Sequence, residues 1–214
     1  MRQLRLERLG LREYLDTWGA MRDFTDTRTP ETIDEIWLVE HPPVYTLGRN
    51  GDPAHIRNAN GIPIVGSDRG GQVTYHGPGQ IVAYTLFDLN RLGIGIRGLV
   101  TGLENAVINT LSQYGIQSAA RRDAPGVYVA AKKIASLGLR IRKGCSYHGL
   151  SLNVDMDLTP FASINPCGYP GLEVTQLADL DVPVHSHEVA VPLVGAVMKE
   201  FGYDGVVSST RRPV

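Results

Sequence analysis

No stretch of this chain is apolar for the roughly 20 residues that a membrane-spanning helix needs, so no membrane association is expected. Cysteine is scarce: Cys145 and Cys167 are the only two in 214 residues. Two cysteines make no disulfide framework, and in a reducing compartment both are expected as free thiols. An excess of either charge is missing too, with 22 acidic against 21 basic residues and a net charge of -1. Nothing in that balance favours nucleic-acid binding. The N-terminal MRQLRLERLG alternates Arg and Leu and has no apolar core, so no secretory signal is expected and the default location is cytoplasmic. Repeats, low-complexity tracts and linkers are absent as well.

What remains is an ordinary globular composition, 43% hydrophobic and 20% charged, on a chain long enough to bury roughly 70% of its unfolded surface without staples. One domain over 1–214 is expected, and a monomer. Leu4 and Leu6 alternate with charges and predict a first strand. Leu11, Tyr14, Leu15, Trp18, Met21 and Phe24 keep a three-or-four spacing that predicts a helix to about Thr27. IDEIWLVE, VYTLGR, IPIVGSD and QIVAYTLFDL read as strands. Leu99, Leu103, Val107, Leu111 and Tyr114 mark a second helix, with Gly115 where a glycine cap belongs. GVYVAAKKIASLGLRIRKG and SYHGLSLNVDM read as two strands of a hairpin around Gly144. A final helix is expected from Glu188 to Phe201 with Pro192 near its first turn, followed by a loose SSTRRPV tail. Strands come in clusters with helices inserted, which favours an α+β fold over alternating parallel units.

RGGQVTYHGPGQ, residues 69–80, crowds glycine, proline, histidine and arginine between two apolar strands. Glycine is favoured where backbone takes positive φ or approaches something closely. The stretch is either a long turn or a loop that wraps a ligand. It carries neither GxxxxGK[ST] nor GxGxxG, so neither nucleotide fingerprint applies.

Four kinds of chemistry deserve weighing. Cys145-x-x-His148 has ligand-like spacing, but residues three apart on a strand face opposite ways, which argues against a shared metal; no metal is expected. Backbone amides of Gly70 and Gly71 are candidates to face an anionic group. Cys167, in the turn-like INPCGYPG, can be exposed to a substrate, whereas Cys145 in a strand is expected to pack as a small hydrophobe. Reactivity needs access plus a lowered pKa, and the residues alone leave Cys167 either structural, the reading they favour, or catalytic. Lys132 and Lys133 are neighbours in an apolar strand, so one must face inward. That lysine either snorkels to the surface or sits in a pocket and exchanges protons with a nucleophile.

DRGGQVTYHGPGQ, DAPGVYVAAKKIASLGLRIRKGCSYHGLSLNV and INPCG, in that order, resemble the bacterial octanoyltransferases of lipoate biosynthesis. The likeness runs from about Trp37 to Leu177. It implies a biotin/lipoate protein ligase-like catalytic domain, a mixed sheet flanked by helices. It also implies transfer of an octanoyl group from octanoyl-acyl carrier protein to a lysine of a lipoyl domain through an S-acyl-cysteine, with no cofactor. The acceptors would be the lipoyl domains of 2-oxoacid dehydrogenase E2 subunits and the glycine cleavage H protein. The same resemblance implies a catalytic pair, Cys167 and Lys133. It implies an acyl site made by Arg69, Gly70, Gly71, Gln72, Val73, Thr74, Tyr75 and His76, by Ser136, Leu137 and Gly138, and by Gly149, Leu150 and Ser151. Val73, Tyr75, Leu137 and Leu150 are expected to line the chain and His76 to brace the loop. Arg140, Arg142 and Lys143, with Arg121 and Arg122, either steer acidic partners or are solvated charges on a strand face and a loop.

Three rivals remain. An ATP-using lipoate protein ligase shares the fold but carries HD after its glycine-rich loop and uses no cysteine, whereas HGPGQ and Cys167 stand here. A binding module without chemistry would lack the Cys–Lys pair. A lipoyl or octanoyl amidotransferase differs in its donor.

Overall fold

The structure, a computed structural model, describes residues 1–166, 171–182 and 184–208. It runs β1 (Gln3–Leu11), α1 (Tyr14–Thr27), β2 (Asp34–Glu40), β3 (Val44–Leu47), β4 (Ile64–Gly66), β5 (Val73–His76) and β6 (Gln80–Leu86). Then come α2 (Leu89–Leu92), α3 (Ile96–Ser112), β7 (Ala119–Ala120), β8 (Gly126–Val129), β9 (Lys132–Arg142), β10 (Cys145–Asn153), α4 (Ser186–Phe201) and β11 (Gly205–Ser208). Eight strands form the main sheet in the order β11-β1-β2-β6-β10-β9-β8-β7, and β4-β3-β5 make a small second sheet. β1 pairs parallel with both β11 and β2, while β2, β6, β10 and β9 pair antiparallel. The α+β expectation and the flanked mixed sheet stand.

The central strands are buried along their whole length because helices cover both faces of the sheet. Period-2 alternation sorts the side chains. Ile81 and Ala83 of β6 join Leu150 and Leu152 of β10 under α3 and α4. Val82, Tyr84 and Leu86 turn the other way, onto Met21 and Phe24 of α1. A third cluster, with Tyr45, Val73, Tyr75 and Phe161, lies under the small sheet.

Four local expectations need correction. GVYVAAKKIASLGLRIRKG is two strands, not one: β8 and β9 meet at Ala130 (φ 45°) and Ala131 (φ 73°). Two successive positive φ values form the kind of tight turn that matches strand twist, and Asn-Gly, not Ala-Ala, usually signals it. Leu11, read into the first helix, ends β1, and α1 begins at Tyr14; the expected glycine cap of α3 stands, with Gly115 at φ 74° and the Ile116 N–H bonded back to the Leu111 carbonyl. α4 begins at Ser186, where Glu188 and His185 form a capping box, so Pro192 lies beyond its first turn. β11 was not anticipated; it pairs with β1, some 200 residues away. The hairpin around Gly144 is present, with Lys143 and Gly144 both at positive φ. The SSTRRPV stretch lies, past Ser208, outside the described residues.

Candidate active site

The glycine-rich loop is tied down by its own arginine. Arg69 is 7% exposed. Its Nη2 donates to the carbonyls of Thr46 (2.5 Å) and Gln72 (2.8 Å), its Nη1 to the Gly70 carbonyl (2.9 Å), and its Nε to Thr46 Oγ1 (3.0 Å). A planar fork of five donors suits this collection of carbonyls; lysine has no such geometry. The glycines let the loop lie this close. A Cβ on Gly48 would fall 2.2 Å from the Gly71 carbonyl oxygen, and Gly71 itself has φ 89°. Gly70 donates its N–H to the Leu139 carbonyl at 2.8 Å, which stitches the loop to β9. The Gly70 amide is therefore committed to protein rather than turned to an anion.

Between this loop and the β9–β10 pair runs a cleft of about 470 Å³, counting its open mouth. Arg69, Gly71, Gln72, Val73, Thr74 and His76 line one side. Ser136, Leu137 and Gly138 of β9 with Gly149, Leu150 and Ser151 of β10 line the other. Gly138 keeps the loop close to β9, since a Cβ there would meet Arg69 Cδ at 3.0 Å, and Gly149 keeps β10 close to β6, since a Cβ there would overlap the Ala83 carbonyl at 2.0 Å. Gly70 and Tyr75 stand apart from the other positions named from sequence. Gly70 is turned to Leu139, and Tyr75 points its ring into the third core cluster, against Tyr45 and Phe161. Along β5 Tyr75 alternates with Thr74 and His76; Val73 shares its face and its cluster but still reaches the cleft at the start of the strand.

Tyr14, Val82, Tyr84 and His148 also line the cleft and were not foreseen in that role. Tyr14 and Tyr84 carried only a core-periodicity signal. His148 had been weighed as a metal partner alone, although it precedes Gly149 in the same strand.

The polar floor is a set of neutral histidines. His76 bonds through Nδ1 to Gln80 Oε1 (2.7 Å), and the chain continues from Gln80 Nε2 to Asn153 Oδ1 (2.9 Å) and from Asn153 Nδ2 to the Thr175 carbonyl (2.9 Å). The Tyr14 ring stacks on His76. Burial, helped by neighbouring His41, pushes His76 down to about 3. Burial likewise takes His41 down to about 4, against a bond to the Arg12 carbonyl that opposes the shift. That carbonyl can only accept, so His41 carries its proton on Nδ1 and takes a bond at Nε2 from Tyr84 OH (2.7 Å).

His148 belongs to a second network. Its Nε2 lies 2.9 Å from Asp68 Oδ1, and Asp68 also accepts from Trp18 Nε1 (2.8 Å) and from the Tyr147 hydroxyl. Desolvation pushes the Asp68 carboxyl up, but the bonds from His148, Tyr147 and Trp18 outweigh it and hold the group well below the usual carboxylate range. Burial lowers His148 despite the Asp68 carboxylate beside it.

Of the two lysines, Lys132 faces out toward Glu173, 3.6 Å away. Lys133 is 1% exposed. Its ammonium donates to the Pro125 carbonyl at 3.1 Å and stands 5.2 Å over the Tyr128 ring. The backbone of Lys133 exchanges hydrogen bonds with Glu173 and Thr175, both 2.9 Å. Cys167 and Gly168 lie outside the described residues. The chain that carries them is anchored on both sides, at Asn165 by the His55 carbonyl and at Glu173 and Thr175 by Lys133. Cys145 is a buried packing thiol whose pKa burial raises.

The basic residues expected to steer partners are largely engaged. Arg142 and Lys143 both approach Asp26, at 2.9 and 3.6 Å, and Arg121 pairs with Asp123 at 2.7 Å.

Comparison with known proteins places the chain. The family described as the lipoyl protein ligase A/B catalytic domain matches residues 13–198. An octanoyltransferase of Vibrio vulnificus is 58% identical over 99% of this chain and 97% of its own length. An octanoyltransferase of Alkalilimnicola ehrlichii is 64% identical over 82% of this chain and 81% of its own. Among solved structures, a lipoate-protein ligase A bound with ATP shares the fold at a TM-score of 0.78 and 17% identity, covering 98% of this chain and 90% of that one. A biotin protein ligase of Aquifex aeolicus follows at 0.60 and 12%, with 94% and 71% covered.

Proposed function

The chain belongs to the lipoyl protein ligase A/B catalytic domain family, and from that premise we propose the roles its residues take. The protein is an octanoyltransferase, as its near-full-length relatives are named. It moves an octanoyl group from octanoyl-acyl carrier protein to a lysine of a lipoyl domain, in the cytoplasm, with residues 1–214 acting as one catalytic domain. The cleft between the glycine-rich loop and β9–β10 holds the acyl chain. Val73, Leu137 and Leu150 give it apolar contact, worth about 0.8 kcal/mol per buried methylene.

The chemistry divides between two residues. The Cys167 thiolate attacks the thioester carbonyl, the C–S bond to the carrier breaks, and the carrier thiol leaves with a proton. The acceptor amine then attacks the S-octanoyl enzyme, loses a proton, and the thiolate departs as the amide forms. A free cysteine is only a few per cent ionised at pH 7. The Lys133 ammonium stabilises the thiolate and gives its proton to the departing carrier thiolate; the neutral amine so formed then takes the proton that the attacking acceptor amine loses. General acid–base help of this kind is typically worth roughly 100- to 10,000-fold. The Gly70 amide serves Leu139, which leaves the Gly71 and Gly168 backbone amides as donors for the oxyanion.

The observation that carries these roles is the buried lysine, whose backbone binds the chain returning from Cys167. The fold also serves ATP-using ligases, so ATP dependence is the discriminating test. Octanoyl-acyl carrier protein and a lipoyl domain, incubated with the enzyme and no nucleotide, should give an octanoylated lipoyl domain. Modification only with ATP and free octanoate would overturn the reading.

A further inference from the structure

The buried face of α3 is apolar apart from Thr110 and one carboxylate, Glu104, which is 7% exposed. A buried carboxylate is costly unless hydrogen-bonded. Glu104 Oε1 accepts the N–H of Gly126 at 2.9 Å. That N–H belongs to the same peptide group whose carbonyl, on Pro125, accepts the Lys133 ammonium at 3.1 Å. In a trans peptide the N–H and C=O point in opposite directions. The carboxylate and the ammonium therefore grip opposite ends of one peptide dipole, negative charge at its positive end and positive charge at its negative end. The turn is held again one residue earlier, where the Tyr128 hydroxyl donates to the Ala124 carbonyl at 2.8 Å. Gly126 has φ 139°, and a Cβ there would stand 2.6 Å from the Ala135 carbonyl and 3.1 Å from Lys133 Cε. Only glycine brings the peptide this near the lysine.

We infer that Glu104 is a positioning residue for acyl transfer, acting through the Pro125–Gly126 peptide to hold the Lys133 ammonium in place; this rests on the catalytic reading of Lys133. Glu104 does not line the cleft, so it should not affect how the acyl chain binds. Small misplacements of a catalytic group can cost up to about 100-fold in rate.

The test is a double-mutant cycle on octanoyl transfer to a lipoyl domain, with thermal melts to confirm folding. Glu104→Ala should lower kcat about 10- to 100-fold with KM for the donor unchanged. Glu104→Gln, whose amide oxygen still accepts from Gly126, should restore most of the rate. Glu104→Asp, which keeps the charge but is too short to reach, should behave as Glu104→Ala and serves in its place if that variant fails to fold. Lys133→Ala combined with either damaging variant should be no slower than Lys133→Ala alone. Multiplicative losses, or folded Glu104→Ala and Glu104→Asp proteins with wild-type kcat, would overturn the inference. Full activity in Lys133→Ala would instead remove the reading it rests on.

Discussion

Arg69 binds Thr46 twice, through the carbonyl oxygen and through the side-chain hydroxyl. One guanidinium thus joins the glycine-rich loop to β3 while also closing on the carbonyls of Gly70 and Gln72. Arg69→Met should strip these donors from the Thr46 and Gly70 carbonyls, at roughly 1–3 kcal/mol for each group left orphaned, while the Gln72 carbonyl keeps the Gly48 N–H. Urea unfolding should show a lower midpoint, and the donor KM should rise because the loop forms one wall of the cleft. Arg69→Lys should recover little of either, since a single ammonium cannot span three carbonyls.

Gly149 and Gly138 face each other across β10 and β9, but their substitutions should differ. A Cβ at Gly149 would drive into the Ala83 backbone at 2.0 Å and force β6 from β10, whereas one at Gly138 meets the Arg69 side chain at 3.0 Å and the Gly70 carbonyl at 3.2 Å. Overpacking a core typically costs 1–3 kcal/mol and occasionally more. Gly149→Ala should sit at or above about 3 kcal/mol by chemical denaturation. Gly138→Ala should stay folded and slow catalysis by narrowing the cleft.

Acid should unfold this protein earlier than its carboxylates alone would dictate. His41, His76 and His148 all have pKa values below that of a free imidazole, His41 at about 4 and His76 at about 3. The unfolded chain binds those protons first, so stability is fully present above about pH 6.5 and falls as pH drops toward the folded values. At 1.36 kcal/mol per pKa unit, His41 should contribute on the order of 3 kcal/mol to that loss and His76 on the order of 5. Asp68, also lowered, adds in the same direction below pH 4. A plot of unfolding free energy against pH should slope from pH 6.5 downward, and His76→Gln should flatten it.

Chain-length preference should answer to Leu137. It lines the cleft and packs only partly against the core, so Leu137→Ala should enlarge the cleft at modest cost in stability. The ratio of kcat/KM for decanoyl over octanoyl donors should rise several-fold, since each methylene that finds apolar contact is worth about 0.8 kcal/mol.

The parts of this site that were legible in sequence share a physical reason. Alternation required one of Lys132 and Lys133 to face inward, and Lys133 does; the segments that line the cleft lie on strands whose period is plain. Tyr75 departs from Thr74 and His76 because the same alternation turns it to the other side of β5, where Val73 alone still meets the cleft. What sequence hid is long-range. Tyr14 arrives from α1, Glu104 from α3 and Asp68 from a loop, and each had only a core or surface signal where it stands. The turn at Ala130–Ala131 carried none of the glycine or asparagine that positive φ usually requires. The glycines of the loop were visible at once, but their purpose is backbone contact with β3 and β9 rather than open space for a ligand.

The central claim is a covalent intermediate on Cys167. The direct measurement is intact mass spectrometry of the enzyme mixed with octanoyl-acyl carrier protein, without ATP, beside Cys167→Ala and Cys145→Ala. The wild type and Cys145→Ala should gain about 126 Da, the mass of one octanoyl group replacing a thiol proton, and lose it when a lipoyl domain is added. Cys167→Ala should gain nothing. An adduct that survives in Cys167→Ala, or octanoyl transfer to the lipoyl domain at wild-type rate by that variant, would contradict the account.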